Sequence, residues 1–170
     1  MKQRGYLINK QCIKPNRRIW MDVIKTKMKN YKELIILIAE DDDGHAELIQ
    51  AGLRESGVCN KIIRFTNGEA AWLFLSGTGD KDVRDATKAY LLLLDINMPK
   101  MDGEEVLRRI KSDKDLKEIP ILMLTTTDDP REVEACYKLG CNMYITKPVD
   151  FNKFAETLKR MGLFIQIVKI

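Results

Sequence analysis

A single histidine, His45, is all the imidazole this chain offers, and none of its four cysteines (Cys12, Cys59, Cys136, Cys141) forms a Cys-x-x-Cys pair. No recognisable zinc ligand set can be built from these, and such thiols are expected to be reduced, as in a cytoplasmic protein. No apolar stretch approaches the roughly 20 residues that a membrane-spanning helix needs, which argues against an integral membrane protein. Gly77-Thr78-Gly79 lacks the Gly-Lys-Ser/Thr that cradles nucleotide phosphates. There is no internal repeat and no low-complexity segment. Acid is scarce at one end only. Residues 1–32 hold ten Lys/Arg and one acid, Asp22, a surplus of +9, so with a whole-chain charge of +4 residues 33–170 carry −5.

At 170 residues, with 45% apolar and 32% charged content, the chain is ordinary for a globular protein and long enough for one domain with a sizeable core. From Glu33 onward, strand-like and helix-like pieces alternate. Ile35–Ala39 is a first strand, followed by a helix that Asp43 can cap, with Ala46, Ile49 and Leu53 at helical spacing and a stop near Gly57. Lys61–Phe65 is a shorter strand and Gly68–Ser76 a helix. The polar stretch from Gly77 to about Lys88 is long for such a connection. Leu91–Asp95 is a continuous apolar run of the kind buried on both faces. Glu104–Ser112 is a helix with Val106, Leu107 and Ile110 inward, and Pro120 opens the strand Ile121–Leu124. Asp128–Leu139 is a helix with Val133 and Cys136 on one face, closed by Gly140. Met143–Thr146 leads to a last helix carrying Phe151, Phe154, Leu158 and Met161. Five strands and five helices in alternation predict an α/β fold: a doubly wound, five-stranded parallel sheet covered on both faces. Only Leu163–Ile170 follow the last helix, and no attached output domain is expected.

The strands end in chemistry. The first runs into Glu40-Asp41-Asp42-Asp43, the third ends in Asp95, the fourth runs into Thr125, and the fifth delivers Lys147-Pro148. The C-terminal edge of an open parallel sheet is where reactive groups collect. Glu40, Asp41 and Asp95 brought together repel one another unless a cation lies between them. Hard oxygen donors in a small space favour Mg²⁺, which also grips phosphoryl oxygens. Asp95 is then a nucleophile able to form an acyl phosphate. Lys147 pairs with a second phosphoryl oxygen, the Thr125 hydroxyl with a third, and Ile96 or Asn97 offers a backbone carbonyl to the metal. Each residue alone has an ordinary explanation: acids after strands cap helices, threonine suits strands, and Lys-Pro opens loops. Four such residues at the ends of successive strands outweigh those separate explanations.

The pieces Ile38-Ala39-Glu40-Asp41, Leu92-Leu93-Leu94-Asp95-Ile96-Asn97-Met98-Pro99-Lys100-Met101-Asp102-Gly103, Met123-Leu124-Thr125-Thr126-Thr127 and Tyr144-Ile145-Thr146-Lys147-Pro148 resemble the receiver domain of two-component response regulators (the CheY-like, flavodoxin-like fold). The spacing resembles it too, with 30 residues from Asp95 to Thr125 and 22 from Thr125 to Lys147. The resemblance covers residues 33–163. It implies a phosphorelay protein whose Asp95 takes a phosphoryl group from a sensor histidine kinase or phosphotransfer protein. It implies a Mg²⁺ site at Asp41, Asp95 and the Asn97 carbonyl, with Glu40 acting through water, and a switch pair in Thr125 and Tyr144. It also implies a cis Lys147–Pro148 peptide. The long stretch after the second helix and the segments Leu124–Pro130 and Lys147–Phe151 resemble single-domain receivers that partner bacterial phytochrome-type kinases. Such receivers dimerise through the face of the fourth helix, fifth strand and fifth helix. Signalling by protein contact, without a DNA-binding domain or a membrane, is the expectation.

Two departures stand out. The acidic run allows a register shift in which Asp42 replaces Asp41, although placement directly after the strand favours Glu40 and Asp41. Thr126 is bulkier than the Ala or Gly common at that point in the family, so the phosphoryl group is expected to be lost slowly. Thr126→Ala should speed dephosphorylation, and an unchanged lifetime would refute the idea. A haloacid-dehalogenase-type hydrolase also uses a Mg²⁺-bound aspartate, but it needs a second acid where Asn97 stands. A pseudo-receiver that binds partners without phosphorylation is opposed by the complete residue set. The basic leader, residues 1–32, is expected to be a disordered extension or sequence upstream of a start at Met28. Its charge alone would also suit nucleic acid or an acidic membrane, and its composition faintly resembles a transit peptide. His45 is expected to be a solvated residue of the first helix near the acidic pocket, with Trp72 and Phe74 in the core.

Overall fold

The computed structural model describes residues 34–80 and 82–167. The basic leader lies outside the described residues, as does the side chain of Phe151. Strands β1 (Leu34–Ala39), β2 (Ile62–Phe65), β3 (Ala89–Asp95), β4 (Ile121–Thr125) and β5 (Met143–Thr146) alternate with helices α1 (Asp43–Glu55), α2 (Gly68–Ser76), α3 (Gly103–Ser112), α4 (Pro130–Leu139) and α5 (Phe151–Ile167). The predicted alternation is therefore present, and the strands form one parallel sheet in the order β2-β1-β3-β4-β5.

Successive side chains of a strand point to opposite faces, and each face buries its own core. Leu37, Ala39, Leu92, Leu94 and Met123 pack beneath α2, α3 and α4, against Ala71, Phe74, Leu75, Val106, Leu107, Ile110 and Cys136. Ile36, Ile38, Leu91, Leu93, Leu122 and Leu124 pack beneath α1 and α5, against Ile49, Leu53, Phe154, Leu158 and Met161. Burying a Leu or Ile side chain contributes about 1.5–3 kcal/mol, so β3, buried on both sides from Tyr90 to Asp95, anchors the molecule.

Helix ends differ from several of the expected ones: α5 runs on to Ile167 where the last helix was expected to stop before Leu163, and α3 starts at Gly103 one residue ahead of Glu104. Asp42, not Asp43, is the N-cap of α1: its Oδ1 accepts the His45 N–H at 2.7 Å, and Asp43 is already helical. In α4 the cap is Asp129, because Pro130 suits the first helical position, and the helix starts two residues later than predicted. Gly140 closes α4 in the left-handed conformation, as expected. Phe74 is core, whereas Trp72 is half-buried with the Arg109 guanidinium 5.6 Å above its ring. The long α2–β3 connection is stapled back onto α2, whose last carbonyls need donors: Arg84 gives its backbone N–H to Phe74 O at 2.9 Å and its Nε–H to Leu75 O at 2.8 Å.

Candidate functional site

Parallel pairing brings the four predicted strand ends to one edge. β1 and β3 lie side by side, with Ala39 opposite Leu94, so Glu40 and Asp95 emerge next to one another. β4 lies on the other side of β3, with Leu124 opposite Asp95. Thr125 pairs with Thr146, which puts Lys147 beside them.

Glu40, Asp95, Thr125 and Lys147 are all buried. Burying so much charge is unfavourable unless it is paired, and here it is. Lys147 Nζ lies 2.7 Å from Glu40 Oε2 and 3.1 Å from Asp95 Oδ2. Asp95 Oδ1 accepts the Ile96 N–H at 2.9 Å, which fixes the carboxylate plane. Burial pushes the Glu40 carboxyl above its usual range, against the pull of the Lys147 ammonium, and the Asp95 charge adds to the rise. The other Glu40 oxygen, Oε1, is buried without a hydrogen bond, with His45 Nδ1 3.5 Å away.

Glu40, Asp41 and Asp95 each present an oxygen within 4.8 Å of the others. Asp41 is the exposed member of the three. An orphaned buried oxygen beside two further carboxylates suits a hard divalent cation, so the residues present fit such an ion. The next two acids are engaged elsewhere: Asp42 caps α1, and Asp43 pairs with Arg64 at 2.6 Å.

The loop after β3 is held close to the site. The Gly103 N–H donates to Ile96 O at 2.8 Å, and a Cβ at Gly103 would fall 2.1 Å from Asp95 O, so only glycine lets α3 start here. Asn97 is exposed in this bend, and Lys100 adopts a left-handed φ of 67°. Thr126 is exposed beside buried Thr125. The Tyr144 hydroxyl donates to Thr127 O at 3.2 Å, so its ring is turned toward the loop after Thr125, and burial pushes the phenol up to about 12. One expectation is corrected: the Lys147–Pro148 peptide is trans. Trans is the lower-energy form even before proline, and in it the Lys147 N–H reaches Thr125 O at 2.6 Å while Nζ still reaches both carboxylates.

Sequence reasoning missed Arg64. Its guanidinium donates to Glu40 O and Asp41 O from across the β1–β2 pair. The available signal was a lone basic residue in the otherwise apolar strand Ile62-Ile63-Arg64-Phe65. His45, read as a solvated residue near the acidic pocket, is there, half-exposed and edge-on to Phe154 at 5.9 Å.

Among the described residues, no helix is long and apolar enough to cross a membrane. Residues 36–159 match the response regulator receiver domain. The response regulator Rcp1 of Synechocystis is 40% identical over 113 residues, 66% of this chain and 76% of that protein. A receiver domain crystal structure from Rhodospirillum rubrum superposes with a TM-score of 0.74 at 44% identity, covering 79% of this chain and 94% of that one. The phosphorylated cyanobacterial phytochrome response regulator RcpA gives 0.68 at 34% identity, covering 76% and 91%. With strand order, strand-end residues and relatives in agreement, the chain belongs to the response regulator receiver family, and its similarity runs to phytochrome response regulators.

Proposed function

We propose that this protein is a single-domain response regulator that accepts a phosphoryl group on Asp95 from the phosphohistidine of a sensor histidine kinase or phosphotransfer protein. The observation that carries the reading is the buried ammonium of Lys147 shared between Glu40 and Asp95 at the C-terminal edge of the sheet. A carboxylate oxygen of Asp95 attacks phosphorus, the P–N bond breaks, and its electron pair leaves with the imidazole. The product is an acyl phosphate on Asp95.

The chain's own groups serve that transfer. Lys147 holds the Asp95 carboxylate in place, then donates to a phosphoryl oxygen. The Thr125 hydroxyl, which accepts the Thr127 N–H at 3.3 Å, donates to another, and as it leaves Thr127 the loop that holds the Tyr144 hydroxyl is free to shift. Asp41, Asp95 and the Asn97 carbonyl would hold Mg²⁺, with Glu40 acting through water. When bound, that ion orients the phosphate and neutralises charge as the phosphoryl group moves. The Mn²⁺-bound form of Rcp1 supports a divalent ion for this chain.

The kinase partner, and a phytochrome-type kinase in particular, is supported by the Rcp1 and RcpA relatives. A homodimer through α4, β5 and α5 is the companion proposal, supported by the exposure of Tyr137, Val149 and Leu163 there. The deciding experiment is intact mass after incubation with Mg²⁺ and acetyl phosphate, alongside Asp95→Asn. A gain of one phosphoryl group in the native protein only, lost in EDTA, is expected. No gain in either would favour a pseudo-receiver.

A further inference from the structure

We propose that Arg64, on the edge strand β2, is a positioning residue for the metal site: it fixes the acidic turn between β1 and α1 so that Asp41, and not its neighbours, faces Asp95. The inference rests on the divalent-metal reading above.

The four acids of the turn divide their roles. Glu40 is committed to Lys147 at 2.7 Å, and Asp42 to the His45 N–H at 2.7 Å as the cap of α1. Asp43 is drawn outward to Arg64 Nη1 at 2.6 Å. The Asp41 carboxylate makes no hydrogen bond or ion pair with a described residue and remains for the cluster with Glu40 and Asp95.

One side chain spans this turn from the neighbouring strand. Arg64 pairs with Ile38, two residues before Glu40. Its Nε and Nη2 donate to Glu40 O at 3.2 and 3.1 Å, and Nη2 also donates to Asp41 O at 3.3 Å. The guanidinium thus grips the carbonyls on both sides of the Asp41 N–Cα–C unit, while its remaining arm holds the first residue of α1. That leaves the turn little freedom to roll and present Asp42 or Asp43 instead. A planar fork with fixed donors can do this, and the point charge of a lysine cannot. Arg64 is only 23% exposed, and its two bonds to Glu40 O are the partly buried part of the clamp, whereas the arm to Asp43 is open to water.

Charge and positioning predict opposite signs. Removing a cation and leaving Asp43 unpaired makes the site more negative, which by Coulomb attraction tightens divalent binding. Losing the clamp lets Asp41 wander and weakens it. Residues that hold metal ligands in place typically cost 10–100-fold in affinity when replaced. The test is calorimetric titration of Mg²⁺ into metal-stripped, full-length native protein, Arg64→Met, Arg64→Lys and Ile63→Ala. Acetyl phosphate uptake at saturating Mg²⁺ is followed in parallel.

The expected result is a loss of affinity of about 10-fold or more in both Arg64 variants, with uptake at saturating Mg²⁺ returning close to the native rate. Ile63→Ala, which loosens β2 without touching the turn, should keep native affinity. Equal or tighter binding by Arg64→Met overturns the proposal, as does an equal loss in Ile63→Ala. If native protein takes up no Mg²⁺, the metal reading falls and this one with it. If native protein binds Mg²⁺ and is phosphorylated while the Arg64 variants match it, only the role of Arg64 falls.

Discussion

Lys147 is the residue on which the site depends. Its ammonium is buried between two buried carboxylates, and removing one partner of such a cluster costs about 3–5 kcal/mol because the charges left behind are uncompensated. Lys147→Met is therefore expected to melt well below native protein in EDTA. Mg²⁺ should raise its Tm by more than it raises that of the native protein, since a cation then replaces the lost one. Equal Mg²⁺ shifts in the two proteins would sink this account. Cys136 makes a second residue-scale prediction. Burial penalises its thiolate and pushes the thiol from 9.0 to about 11. The folded state then holds a proton that the unfolded state releases first. The contribution to stability is complete below pH 9 and is lost as pH rises through the folded value of about 11. Tm should fall over that window, and Cys136→Ala should flatten the fall; an unchanged slope would count against it.

Between elements, α1 and α5 meet along a tight seam. A Cβ at Gly52 would lie 2.7 Å from Leu158 Cβ, and one at Gly162 would lie 2.5 Å from Ser56 Cβ. The Ser56 hydroxyl donates across the seam to Lys159 O at 2.9 Å. Alanine is the better helix former by about 1 kcal/mol, yet forcing an extra carbon into a packed interface costs about 1–3 kcal/mol. Gly52→Ala should therefore lower stability in urea unfolding, and a rise would show that the helices part freely. At this scale the sequence was highly legible. Apolar runs such as Leu91–Leu94 stop at the acids and hydroxyl that define the site, so strand ends and site residues were read together. The N-cap of α1 fell one residue before the expected Asp43, because a run of acids offers several equivalent caps and only the turn selects one. Arg64 stayed invisible for a related reason. Its partners lie on another strand, and the pairing of Ile38 with Arg64 cannot be read from local spacing. The cis Lys147–Pro148 bond was implied by the family resemblance and not by the residues themselves, which before proline leave the two isomers only about 0.5–1 kcal/mol apart.

Over the whole molecule, the sheet order is what gathers the residues of the site. With β1 and β3 at its centre and β2 and β5 at its edges, the strands that bear the acids are shielded on both sides, while an edge strand delivers the ammonium. Family similarity covers residues 36–159 and so includes every member of the site, from Glu40 to Lys147. Glu40 and Lys147 are nonetheless 107 residues apart, and the Ser56–Lys159 tie spans 103. A ribosome making this chain releases the carboxylates of the first and third strands long before the lysine that neutralises them. The pocket cannot close until the fifth strand has been translated, so Glu40 and Asp95 spend most of synthesis without the ammonium that pairs them in the folded protein.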